Sequence, residues 1–320
     1  MDVARLTTYV GERDRVDGAF AADAIMSVYA RHGVRFSVVL RGVEGFGAHH
    51  RLRAAHLLTL SEDLPVVVVA IDTRRRLAGV LEELSTLTGR GLIALTPGGA
   101  ATAQDAWVRL SVAVGRQERV DRRPAVVAVV DLLRRHGVAG ATALLGVDGT
   151  VHGVRRRARF FAANAEVPVL IEAVGTGERV AAASRELTAL LAEPLLSAER
   201  VTLGVAAAHD APAATCRLVV YAREQAGHGD APLHDALVRR LRADGAAGAT
   251  VLRGFWGYQG DERPHGDRFW ALRRHVPAIT VVVDRADRCA DWASVVAALA
   301  GDRAVVTTEA VAVPALSPGA

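Results

Sequence analysis

The sequence predicts an α+β protein built from three tandem βαββαβ units. Three features of its 320 residues predict it: a length about twice that of a typical domain of ~150 residues, a glycine register that occurs three times, and proline-led aliphatic segments that recur with it. Gly33, Gly42 and Gly45 return as Gly137, Gly146 and Gly149, 104 residues on, and as Gly245, Gly254 and Gly257, a further 108 on. The register is carried by RFSVVLRGVEGFG (35–47), AGATALLGVDGTV (139–151) and AGATVLRGFWGYQ (247–259). DLPVVVVAID (63–72), EVPVLIEAVG (166–175) and HVPAITVVVD (275–284) align through Pro65, Pro168 and Pro277, and GERDRVD (11–17) matches GRQERVD (115–121). Self-similarity at a nearly constant spacing marks a duplicated structural unit.

Each unit reads in the same order. A β-branched and aromatic segment (Arg5 to Val10; Val108 to Val114; Arg217 to Tyr221) suits a half-buried strand. Helical spacing follows over Ala21 to His32, Pro124 to His136 and Pro232 to Asp244. These helices stop at Gly33, Gly137 and Gly245, and Pro124 and Pro232 sit where a first turn accepts proline. A second strand ends in the Gly-x-x-Gly element and a polar connection leads to the proline-led third strand. A second helix (Arg74 to Thr88; Gly177 to Ala192; Ala286 to Ala300) precedes a last strand (Leu92 to Thr96; Val201 to Val205; Val305 to Thr308). This order is the split-βαβ, or ferredoxin-like, unit, with both helices on one face of a sheet. Linkers at TPGGAATAQDA (96–106) and AAAHDAPAA (206–214) separate units at 1–98, 106–205 and 214–312.

Composition narrows the chemistry. Hydrophobic residues are 51% and charged residues 23%, an ordinary globular balance that excludes a disordered or collagen-like chain. All 39 basic residues are arginine. Schiff-base chemistry, a P-loop lysine and lysine general bases are therefore excluded, while bidentate contact with phosphate or carboxylate is favoured. Cys216 and Cys289 lie far apart with no CxxC or Cys/His spacing, so neither a disulfide framework nor a zinc site is suggested and a reducing compartment fits. The N-terminus lacks an apolar signal core, and the longest aliphatic run, Leu64 to Ile71, is too short to cross a bilayer, which predicts a cytoplasmic protein without membrane insertion.

GERDR (11–15), VVLRGVEGFG (38–47) and LSEDLPVVV (60–68) together resemble the PII-like proteins catalogued as domain of unknown function 190. The first unit carries the resemblance over its whole length, the third through ATVLRGFWGYQG (249–260), and the second is the most divergent. Arg53 follows Leu52 where the family pattern implies a histidine. The resemblance implies homotrimer-like assembly, here an intramolecular pseudo-trimer from one chain. It also implies inter-unit clefts that bind a small anionic ligand such as an adenine nucleotide, and loops that contact a regulated partner protein. No resident cofactor is implied.

Arg41 and Arg253 end the second strands of units one and three, where unit two has Leu145. Beside each arginine a glycine-rich turn, Gly42 with Gly45 and Gly254 with Gly257, offers backbone N–H groups to an anion. Gly89, Arg90 and Gly91, between a helix and a strand, are a second anion candidate. The alternating charges Glu12, Arg13, Asp14 and Arg15 read as a solvated loop. Glu44 and Asp148 align, but Trp256 replaces them in unit three, so no shared carboxylate mechanism spans the units. His49, His50 and His56 cluster without a known ligand spacing. The run Arg155, Arg156, Arg157, Arg159 beside Phe160 and Phe161 is a basic patch, yet a net charge of +4 does not predict nucleic-acid binding. No GxSxG, HExxH, P-loop or Rossmann fingerprint occurs, so the expectation is a non-enzyme.

Two alternatives stand beside a ligand-sensing regulator: a scaffold that keeps the trimeric shape without ligand, and a metal-handling protein of the CutA type. The units have also drifted apart. Val151 stands where unit one has Gly47, and Thr150 stands opposite Phe46 and Tyr258, so the clefts are predicted to be inequivalent, the one depending on Leu145 being weakest.

Overall fold

The computed structural model describes residues 2–47, 50–54, 63–87, 91–158, 166–204, 215–223, 226–228, 231–266 and 276–313. Unit 1 comprises β1 (Val3–Gly11), α1 (Ala21–Arg31), β2 (Phe36–Arg41), β3 (Glu44–Phe46), β4 (Pro65–Thr73), α2 (Arg74–Leu87) and β5 (Leu92–Pro97). Unit 2 comprises β6 (Trp107–Gly115), α3 (Ala125–Arg135), β7 (Gly140–Leu145), β8 (Asp148–Val151), β9 (Val154–Arg157), β10 (Pro168–Gly175), α4 (Gly177–Leu190) and β11 (Leu195–Leu203). Unit 3 comprises β12 (Thr215–Arg223), α5 (Leu233–Ala243), β13 (Ala249–Arg253), β14 (Trp256–Gln259), β15 (Pro277–Arg285), α6 (Cys289–Ala300) and β16 (Ala304–Val311).

Within every unit the sheet is antiparallel, with the third strand between second and first and the fourth outside the first: β2-β4-β1-β5, β7-β10-β6-β11 and β13-β15-β12-β16. Gly33, Gly137 and Gly245 take φ of 59°, 68° and 82° just after α1, α3 and α5, the left-handed C-terminal turn that favours glycine. The last strand of unit 2 begins at Leu195, earlier than hydrophobicity alone predicts, because Ser197 and Glu199 alternate with apolar residues and are themselves buried.

The Gly-x-x-Gly element is where the units join. After each second strand the chain crosses onto a neighbour: β3 pairs with β13 of unit 3, β14 with β7 of unit 2, and β8 with β2 of unit 1. The three exchanges close a ring. A Cβ on Gly45 would lie 2.3 Å from the Ala249 carbonyl oxygen, one on Gly149 2.1 Å from that of Ser37, and one on Gly257 2.2 Å from that of Ala141. Only glycine lets the backbones approach so closely. The first glycine of each pair donates its N–H to the proline of the third strand, Gly42 to Pro65 at 2.8 Å, Gly146 to Pro168 at 2.9 Å and Gly254 to Pro277 at 2.8 Å. The co-registered glycines and prolines of the sequence are therefore contact partners.

Each unit buries its helices on one sheet face, and the opposite faces of all three sheets meet in a common core containing Val38, Val69, Leu144, Leu170, Val219 and Ile279. On that face Arg5, Arg109 and Arg217 occupy equivalent positions of the first strands, and all are buried. Arg5 pairs with Glu172 at 2.5 Å and also donates to Ser111 Oγ at 2.9 Å. Arg109 pairs with Glu199 and Glu309, and Arg217 with Glu309 at 2.7 Å and Glu199 at 3.4 Å. Burial alone would push Glu309 up, but Arg109 and Arg217 outweigh it and bring the carboxyl down to about 2. Unit 1 supplies one arginine and no carboxylate to this network, unit 2 one and two, and unit 3 one of each, so the charge balances only when all three units meet.

One expectation is corrected. Cys216 and Cys289, 73 residues apart in sequence, form a disulfide with a Cα–Cα distance of 6.2 Å. Spacing could not indicate it because strand and helix converge only in the folded unit. The corresponding pairs, Ala4 with Leu77 and Val108 with Val180, are buried apolar residues. Among the described residues no helix is long and apolar enough to cross a membrane.

Candidate functional site: a cleft between units 1 and 3

Where β3 crosses onto unit 3, it leaves a cavity of about 730 Å3 between the two units. Tyr9, Val10, Phe46, Leu92, Val281 and Val283 contribute apolar surface, and Arg51, Arg53 and Arg285 bring three guanidinium groups. Its two carboxylates are committed to the protein. Asp14 accepts the Gly11 N–H at 2.6 Å, and Asp284 accepts from Ala247 N–H at 3.0 Å and Trp292 Nε1 at 2.7 Å. Arg53 pairs with Asp63 at 2.8 Å and Arg285 with Asp287 at 2.5 Å, whereas Arg51 is exposed and has no carboxylate partner among the described residues. A second lobe of about 440 Å3 adjoins through Ala247, Asp284 and Arg285 and adds His50 and Arg288. An apolar chamber with exchangeable arginine partners at its mouth suits an anion with an apolar body.

The predicted residues distribute unevenly around this cleft. Gly91 lines it. Gly42 and Gly45 stand behind it against Pro65 and Thr250, which do line it. The idea that the glycine-rich turns offer unused N–H groups is corrected: Gly42 and Gly254 donate to proline carbonyls, Val43 to Val251 and Phe255 to Ala143, and Gly45 and Gly257 lie within inter-unit ladders. Arg41 pairs with Glu12 at 3.0 Å on the exposed surface, and Arg253 is half-buried at the end of β13. Gly89 and Arg90 lie outside the described residues, as do His49, His56, Arg159, Phe160 and Phe161. His50, with φ of 50°, stacks on Phe46 at 5.9 Å. Among the described residues no group of three or more His, Cys, Asp or Glu side chains is arranged to hold a metal. Arg155 and Arg157 of the basic run pair with Asp148 and Asp23. Sequence reasoning missed Arg51 and Arg285; Arg51 lies in a polar connection that reads as solvated, and Arg285, which has no arginine counterpart in the other units, reaches the cleft only because unit 3 abuts unit 1.

The clefts between units 1 and 3 and between units 3 and 2 are unequal in size. The corresponding space between units 3 and 2, flanked by Tyr221, Tyr258 and Gln259 on one side and Gly140 and Thr142 on the other, measures about 20 Å3.

A second repeated position lies on the crossing strands. Glu44 of β3 is buried against α5 of unit 3, where burial, then Asp235, push its carboxyl up to about 8, with Arg239 opposing. Its counterpart Asp148 faces Asp23 but is bracketed by Arg155 at 2.6 Å and Arg157 at 3.6 Å. Trp256, in the same place on β14, packs against the unit 2 core.

Known proteins share parts of this chain. It is 28% identical to a UPF0166 protein of Methanocaldococcus jannaschii over 92 residues, covering 28% of this chain and 84% of that protein. It is 37% identical to a UPF0166 protein of Aquifex aeolicus over 51 residues, 16% of this chain and 53% of that one. Among solved structures, aspartate kinase from Synechocystis aligns with a TM-score of 0.26 and 10% identity over 96% of this chain and 43% of that one. The family described as "Uncharacterized ACR, COG1993", DUF190, matches three times, at residues 3–98, 107–203 and 215–313. With a match in every unit and nearly the whole chain covered, this protein belongs to the DUF190 family as three tandem copies.

Proposed function

We propose that the chain is a non-catalytic, PII-like regulator whose three ferredoxin-like units form an intramolecular pseudo-trimer. It binds one small anionic ligand with an apolar body between units 1 and 3 and contacts a regulated protein through loops at the cleft rim. The observation that carries this reading is the cleft itself, about 730 Å3 with Arg51, Arg53 and Arg285 beside apolar walls. That volume falls in the range of small-molecule sites. An adenine nucleotide meets both requirements, with its base against the apolar walls and its phosphates on the guanidinium groups. The strand order of each unit supports the ferredoxin-like part, and the closed ring of strand exchange supports the pseudo-trimer. The scaffold alternative draws on one observation, the near closure of the unit 3–unit 2 cleft.

Titration calorimetry with adenine nucleotides tests the reading. Binding should be saturable, and Arg51→Ala and Arg285→Ala should each weaken it by about 1.5 to 3 kcal/mol, the scale of a charged hydrogen bond. Absence of binding by nucleotides and other small organic anions favours the scaffold.

A further inference from the structure

The two clefts share one backbone course, and their linings differ at several side chains, among them Gly47 against Gln259, Thr215 against Trp107 and Val281 against Glu172. Tyr9 corresponds to Tyr221, Phe46 to Tyr258 and Pro65 to Pro277, and the segment 247–250 corresponds to 139–142. The strands facing each other stand equally far apart in both. A Cβ on Gly248 would lie 3.2 Å from Phe46 O and 3.7 Å from Gly47 Cα, and one on Gly140 would lie 3.3 Å from Tyr258 O and 3.8 Å from Gln259 Cα. A shift of strands therefore does not account for a volume falling from about 730 to about 20 Å3. The difference that bears on the space in front of the crossing strand lies at the residue after the aromatic. At Gly47 a Cβ would meet nothing within 4 Å, so the space in front of that strand is empty. At the same position of unit 3, the Gln259 side chain fills it, Nε2 donating to the Tyr221 carbonyl oxygen at 3.2 Å. In unit 2 the position is Val151, whose Cγ1 would lie 3.6 Å from a Cβ on Gly115.

We infer that the cleft between units 3 and 2 is a second copy of the ligand site held shut by Gln259, and that glycine at position 47 keeps the first copy open. The inference rests on the ligand reading of the unit 1–unit 3 cleft. Basic residues stand at matching positions beside the second cleft: Arg263 where unit 1 has Arg51, and His265 where it has Arg53, each in the strand connection that follows the crossing strand. It lacks a counterpart of Arg285, whose place is taken by Thr176. Once opened, it takes the same class of ligand, an organic anion with an apolar body, more weakly than the first.

The test uses the full chain and anilinonaphthalene sulfonate, an aromatic anion, as calorimetric probe. The native chain is expected to bind one molecule. Gln259→Gly is expected to bind two, the second about tenfold more weakly for want of one charged hydrogen bond. Gly47→Gln is expected to lose binding by at least about tenfold while melting as the native chain does, since its Cβ enters open space. A Gln259→Gly variant that still binds one probe molecule, or a Gly47→Gln variant with undiminished affinity, overturns the inference. If the native chain binds no probe, the ligand reading fails, and the crystal structure of Gln259→Gly decides the plug separately. A cleft widened toward the size of its counterpart supports it, and one that stays shut overturns it.

Discussion

Glu44→Gln isolates the chemistry of the unit 1–unit 3 seam. Glu44 is 5% exposed and holds its proton up to about 8, because burial and the neighbouring Asp235 both disfavour its charge. In the unfolded chain the same group titrates near 4.5. Between those values the folded state keeps a proton that the unfolded state has released, so this group lowers stability progressively as pH rises through the window, and its effect levels off above about 8. Moving the group from 4.5 to about 8 corresponds to about 5 kcal/mol at ~1.4 kcal/mol per tenfold. Solvent screening and relaxation at this partly desolvated seam reduce this, so an effect of about 3 kcal/mol is expected. Glutamine keeps the shape and removes the titration. Urea denaturation from pH 5 to 9 should show the variant gaining on the native chain as pH rises, from near parity at pH 5 to about 3 kcal/mol at pH 8. A stability difference that does not vary with pH would refute the reasoning. Asp148→Asn, at the equivalent seam, removes the carboxylate that Arg155 and Arg157 pair with and should cost stability.

Three further outcomes follow from the packing. Arg5→Leu leaves Glu172 buried with Arg109 3.7 Å away as its remaining arginine, and should cost about 3 kcal/mol in urea denaturation, while Arg5→Leu with Glu172→Leu should recover most of it. Gly45→Ala places a methyl 2.3 Å from a backbone oxygen of unit 3 and should destabilise the chain by more than about 2 kcal/mol, measured by thermal unfolding. Reduction of Cys216–Cys289 should leave the far-ultraviolet circular dichroism unchanged, because units 1 and 2 hold the same contact with apolar residues, and should lower stability by about 2 to 4 kcal/mol.

Much of the architecture is legible in the sequence because it is local or repeated. Helices end at Gly33, Gly137 and Gly245 for a backbone reason that acts within one turn, and the prolines at 65, 168 and 277 share a register with the glycines they touch. Strand exchange between units is not legible, since nothing along one unit says whether β3 returns to its own sheet or crosses to another. The buried arginines illustrate a different difficulty. Arg5, Arg109 and Arg217 recur in register, but arginine is ordinarily exposed, and their carboxylate partners come from different strands in different units. For the site, the drift from Gly47 to Val151 and Gln259 is visible in sequence, while its effect on cleft volume requires the facing strand. Arg41 shows the converse: a recurrent strand-end arginine that points to an anion in sequence and meets Glu12 in the fold.

Native mass spectrometry of the purified full chain with an adenine nucleotide reports chain number and ligand number in one spectrum. The expected result is a single 33.8 kDa chain carrying one nucleotide, with the complex lost when Arg51 and Arg285 are both replaced by alanine. A working species near three chains, three nucleotides on one chain, or a complex unaffected by those two substitutions would contradict it.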